Sequence, residues 1–263
     1  MLVSLAPTLP EPRRAASAAL AGLPGCFESR LDRRAHYAPG MERDLDDPEY
    51  ADAVADLLGL LSYGELQGFT RVAADSTLAP DLSDRARTAA MAVTEFRQFE
   101  KLRARLESIG RDPDDAMAPF VQSLNEFHAS TAPSDWLESL VKIYVGDGIA
   151  RDFYLEVSRF VDPETGGLIR SVFADRGQAD FVVGAVRQAI AADPAVAGRL
   201  ALWGRRLVGE ALSQAQRVSA ERETLAALLL AGDDGLDLEG VGQLFSRLTE
   251  RHTQRMGTLG LAA

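Results

Sequence analysis

The sequence predicts an all-α fold, an antiparallel helical bundle with additional helices toward the C-terminus. Three observations carry this reading. Apolar residues recur at helical spacing through long segments, alternating β-branched runs are nearly absent, and most prolines and glycines fall between the periodic segments. Short joints between consecutive long helices favour antiparallel packing.

The elements follow from their punctuation. Residues 1–46 mix Pro, Gly, Arg and Asp with little periodicity beyond "RRAASAALAGL", so they are expected to form a partly disordered N-terminal extension with one short helix. A first helix over about 47–79 opens at "DLDDPEY", where Asp46 or Asp47 can cap and Pro48 suits the first turn; Pro80 ends it. A second runs over about 82–109 and stops at Gly110, and a shorter one over about 113–128 follows "RDPDD". The third covers about 134–160 after "TAPSDW", and the fourth about 167–192 after "DPETGG". A fifth, about 195–231, opens at "DPAV", and a sixth covers about 237–256. Residues 47–192 thus read as a four-helix bundle, and residues 193–263 as C-terminal helices packed on it.

Composition narrows the function. At 263 residues the chain can bury a substantial core, and a hydrophobic share of 46% with 25% charged residues is that of an ordinary globular protein. A formal net charge of −11 disfavours non-specific attraction to nucleic acid or to an anionic membrane surface. Cys26 is the single cysteine, which excludes an internal disulfide and a thiolate metal cluster. The start, "MLVSLAPTLPEPRR", makes a poor signal peptide, and no segment reaches the length of a spanning helix, so a cytoplasmic protein with no membrane partner is expected.

Four helices each carry one acid on an otherwise apolar stripe. In the first helix, Glu65 interrupts Leu57, Leu58, Leu61, Gly68, Phe69 and Val72; in the second, Glu95 shares a face with Met91, Gln98, Phe99, Leu102 and Leu106. In the third, Asp147 interrupts Leu140, Ile143, Tyr144, Ala150, Tyr154 and Val157; in the fourth, Asp175 lies with Leu168, Val172, Gln178, Ala179 and Val182. The spacing repeats: the second acid of each pair follows the first after about 30 residues, and each second acid has a Gln three positions on. Carboxylates gathered in a low-dielectric interior repel one another, so protons or a cation must join them. Oxygen donors of this kind suit hard or borderline divalent ions.

This order, Glu65, Glu95-x-x-Gln98, Asp147, Asp175-x-x-Gln178, resembles the ferritin-like carboxylate bundles. There, two helices supply a Glu and two supply a Glu-x-x-His around a pair of metal ions. Within that superfamily, "YGELQGFTRVA", "EFRQFEKL", "DWLESLVKIYVGDGIARDFY" and "ADRGQADFV" are similar to the actinobacterial MiaE-like group, named after a diiron tRNA hydroxylase. The resemblance implies a ferritin-like four-helix bundle and a two-metal Fe or Mn site on Glu65, Glu95, Asp147 and Asp175, with Gln98 and Gln178 as weaker ligands. It also implies oxidoreductase chemistry and, as a partner, RNA. Both family histidines are Gln here and two acids are the shorter Asp. Three readings therefore stay open: an oxygen-only metal site with oxidase or hydroxylase activity; a metal-free bundle whose acids are neutralised by Arg151 or Arg176; and an interaction module binding a protein partner or a second copy.

Other candidates read more plainly. His36, His128 and His252 are expected to be surface, capping or packing residues. Arg97, Lys101, Arg103 and Arg105, with Arg199, Arg205 and Arg206, read as solvated helix faces rather than an RNA patch. Glu210 is a candidate fifth inward acid, and Tyr63 and Tyr144 are candidate hydrogen-bond partners for the carboxylates.

Overall fold

The computed structural model describes residues 44–174, 178–230 and 238–263, and all its regular elements are helical. In chain order they are α1 (Pro48–Asp75), α2 (Leu82–Ser108), α3 (Pro113–Met117), α4 (Val121–Ser130) and α5 (Trp136–Lys142). A π-helical segment (Ile143–Asp147) leads into α6 (Gly148–Val157), and α7 (Pro163–Val172), α8 (Gln178–Ala192), α9 (Ala195–Glu221), α10 (Glu223–Leu230) and α11 (Leu238–Leu259) complete the chain. The expected extension over 1–46 falls almost wholly outside the described residues.

The helix starts are set by aspartates. Asp47, Asp81, Asp112, Asp135 and Asp162 each accept a hydrogen bond from a backbone N–H of the first turn. Pro48, Pro113 and Pro163 stand at the first helical position. Each such cap contributes about 1 kcal/mol and fixes where a helix begins.

α1 and α2 form the most extensive pairing in the molecule. Leu57, Leu58 and Leu61 of α1 pack with Leu102 and Leu106 of α2 and with Ile169 and Val172 of α7. Fully burying each such side chain contributes roughly 1.5–3 kcal/mol. A second core joins α5, the π segment, α8, α9 and α11 through Leu140, Val141, Val145, Val186, Leu207 and Met256. Gly59 lets α3 cross α1 closely, since a methyl there would overlap the Ala116 carbonyl.

Three expected helices are interrupted. The third is a straight helix only to Lys142, where the turn widens. One extra residue in a turn rotates the remainder of the helix by about 100°, so a single stripe no longer describes this face. The fourth begins at Pro163 and ends at Val172, and helix resumes at Gln178. The fifth divides at Arg222, whose φ of −121° and ψ of 88° are not helical.

Candidate metal centre

Glu65 projects from the middle of α1 and Glu95 from α2, and their carboxyl groups share a hydrogen bond. Gly68, one turn after Glu65, makes room: a methyl there would stand 3.0 Å from Glu95 Oε2. Burial pushes the Glu65 carboxyl up to about 8, opposed by its bond to Glu95 and reinforced by the charge of Asp147. Glu95 is also held well above the ordinary carboxylate range, by burial first and then by the charge of Glu65 and by donating to it. The proton of the pair therefore rests on Glu95. Glu65 Oε2 is buried with no N–H or O–H donor supplied by other residues, so the pair is satisfied only when a proton or another cation joins it.

Asp147 ends the π segment. Its carboxyl is raised well above the usual range, by the protein packed around it and by the charge of Glu95, while Lys142 lowers it. Its surface is nevertheless exposed to a water-sized probe. The cost of ionising it is therefore smaller than for enclosed Glu65, because water can reach it. Three acids from α1, α2 and the π segment thus lie within electrostatic reach of one another. Among the described residues, no three His, Cys, Asp or Glu side chains are drawn closely enough together to hold a metal ion as they stand.

Asp175 and the side chain of Gln178 lie outside the described residues, as does Arg176. Gln98 is buried and donates from Nε2 to the Val172 carbonyl at 2.7 Å. Val172 is the last residue of α7, so the amide caps one of the carbonyls that a helix end leaves without a partner. Only Oε1 of Gln98 is left to act as a weak ligand. Arg151 lies half-buried on α6, one turn after Asp147.

Other expectations resolve clearly. Tyr63 donates to Asn125 Oδ1 and accepts from Gln67, which occupies its phenol away from the acids. Glu210 accepts from Ser130 and is not a fifth member of the cluster. Tyr144 packs half-buried against the second core. His128 stacks edge-on with Phe127, and burial with the nearby charges of Lys142 and Arg71 lowers it to about 3. His252 is buried on α11 and also lowered, first by burial. Neither histidine belongs to the acid cluster, and His36 is outside the described residues. Arg105 does not share the solvated face expected for it: α7 packs over its end of α2 and buries it against Asp162 and Thr165.

The structure adds two residues that sequence reasoning passed over. Tyr154 lies two turns after Asp147, and its hydroxyl would be 3.9 Å from a methyl at Gly64, next to Glu65. Burial and the charge of Glu65 raise its phenol, so it stays a proton donor. Lys142 is the other, buried five residues before Asp147. Tyr154 was visible on the Asp147 stripe without a role, whereas Lys142 carried no signal beyond the rarity of lysine in this chain.

A family described as a ferritin-like domain of actinomycetes matches residues 48–232. The chain belongs to it. No curated protein matches. The ferritin-like match spans α1 through α10, so it includes every acid of the cluster and the start of the C-terminal helices. No helix among the described residues is long and apolar enough to cross a membrane.

The donor chemistry decides what this ferritin-like interior can hold. Carboxylate oxygens without imidazole fit a hard divalent ion such as Mn²⁺ or Fe²⁺. They do not fit a histidine-ligated pair: Gln stands at both family positions, and Gln98 is already engaged with the backbone.

Proposed function

We propose that this ferritin-like protein keeps its interior acids as an oxygen-only cation site, in which Mn²⁺ or Fe²⁺ replaces the protons that the acids otherwise hold. The observation that carries the reading is the Glu65–Glu95 pair, two buried carboxyl groups facing each other with no other partner for Glu65 Oε2. Such a pair is costly to ionise alone and inexpensive to ionise against a cation. Glu65 and Glu95 would hold the ion, Asp147 would join from the water-accessible side, and Asp175 is the fourth candidate. When bound, iron supplies oxidation by dioxygen, the hydroxylase-like chemistry that the MiaE-like resemblance implies for a tRNA substrate.

The remaining residues prepare that environment. Tyr154 holds a proton close to Glu65, and Gln98 ties α2 to the end of α7 so that Glu95 keeps its place. The exposed surface of Asp147 gives water and small molecules a way to the acids.

A second reading has its own support. Because Glu95 can donate to Glu65, protons alone satisfy the pair, and a metal-free bundle acting as a scaffold or protein-interaction module is then sufficient. Reconstitution with Mn²⁺ and with Fe²⁺ under argon, followed by desalting and elemental analysis, separates the two. The cation reading expects stoichiometric retention by the wild type and loss in Glu95→Gln. Equal, negligible retention by both proteins would sustain the metal-free bundle.

A further inference from the structure

We infer that Lys142 is a built-in counter-cation for Asp147, and that the acid cluster consequently takes one divalent ion per chain rather than two. This rests on the cation reading above and sharpens it. Lys142 is 8% exposed, and its Nζ donates to the Thr131 carbonyl at 2.7 Å and stands 5.6 Å over the Phe127 ring. A backbone carbonyl and an aromatic face stabilise an ammonium without neutralising it. The charged groups around it are Arg71, Asp75 and Asp147, with His128 neutral beside them.

The charges then sort into pairs. Arg71 and Lys142 stand against Asp75 and Asp147, with the other three all within electrostatic reach of Lys142. Asp75 also accepts from Ser139 at 3.1 Å. The acids left unmatched among those described are Glu65 and Glu95, two negative charges once their protons leave. One divalent ion cancels them. A second would stand within range of the fixed ammonium and be repelled by it. The lysine is held in place by the fold itself: α4 ends at Ser130, so the Thr131 carbonyl is free to accept, and Lys142 closes α5 just before the backbone widens.

Two measurements test this on the full chain. In the first, Mn²⁺ is titrated into wild type, Lys142→Met and Lys142→Arg, with bound ion counted by electron paramagnetic resonance. One ion per wild-type chain is expected, the same for the arginine variant, and at least about tenfold tighter binding or a second ion for the methionine variant. Two ions in the wild type, or unchanged binding by folded Lys142→Met, would overturn the stoichiometry. The second is a double-mutant cycle with Asp147→Asn on thermal unfolding in chelator. Lys142→Met should lower the midpoint by about 5 °C in the wild-type background and by clearly less beside Asp147→Asn. Equal losses overturn the counter-ion role. Coupling without any Mn²⁺ uptake would support that role and overturn the cation reading, so the two failures are distinguishable.

Discussion

Two buried polar clusters hang on α2, and they are built on opposite terms. Near the C-terminus of α2, Arg105 contacts Asp162 at 3.4 Å, Glu164 at 2.7 Å and Thr165, while Tyr50 accepts from the Asp162 backbone at 2.6 Å. Cation and anions meet there. About three turns earlier, Glu95 meets only another acid, Glu65. The first arrangement joins α2 to the start of α7 and is complete within the chain. The second leaves a charge to be supplied from outside, which is how a binding site differs from a brace.

A single substitution costs most at the brace. Arg105→Ala leaves Asp162 buried without its cation and should cost about 3–5 kcal/mol, read as a lower denaturant midpoint with an unchanged slope. A loss under about 1 kcal/mol would mean the cluster is ornamental.

The acid cluster should instead reveal itself through pH. Glu65 is raised to about 8 in the folded state, so between its unfolded value and 8 the folded chain holds more protons than the unfolded one, and stability falls as pH rises. The expected slope is about 1.4 kcal/mol per pH unit for each retained proton. His128 and His252 act oppositely, being neutral when folded, so their stabilisation is lost as pH drops below about 6.5. Lys142, lowered to about 8, strengthens folding only as pH climbs past that value. The window of about pH 6.5–8 is therefore the clean one, in chelator, and Glu65→Gln should flatten it. A wild-type midpoint that stays constant or rises across that window would contradict the protonated pair.

Smaller effects belong to the groups that hold the acids in position. Gln98→Ala removes one buried hydrogen bond and the cap on α7, with an expected loss of about 1–2 kcal/mol by chemical denaturation. Gly68→Ala places a methyl 3.0 Å from Glu95 Oε2. Because a flexible side chain can move aside, about 1 kcal/mol or less is expected, with weaker Mn²⁺ binding as the more sensitive readout.

The two halves of the bundle were not equally legible in the sequence. α1 and α2 are straight helices, so the 3.6-residue period carried Glu65 and Glu95 to the same interior, and the pairing was readable from their stripes. In the second half the period fails. The π segment changes the facing of residues after Lys142, and α7 stops at Val172, six residues before helix resumes. A stripe read across such breaks mixes faces, and no local signal marks a widened turn among residues as ordinary as "IYVGD". The role of Gln98 was hidden for a different reason. Its partner is a backbone carbonyl 74 residues away, a contact created by packing alone. Lys142 was visible as one of only two lysines beside 26 arginines, but composition does not show that it is buried.

If a cation takes the place of protons between Glu65 and Glu95, those protons can be counted as Mn²⁺ binds at pH 7. Titration calorimetry in two buffers of different ionisation enthalpy reads that number. Release of at least one proton per Mn²⁺ bound is expected, abolished when Glu65→Gln and Glu95→Gln are combined. Uptake of Mn²⁺ with no proton release, or with the same release in that double variant, would contradict the exchange of protons for metal.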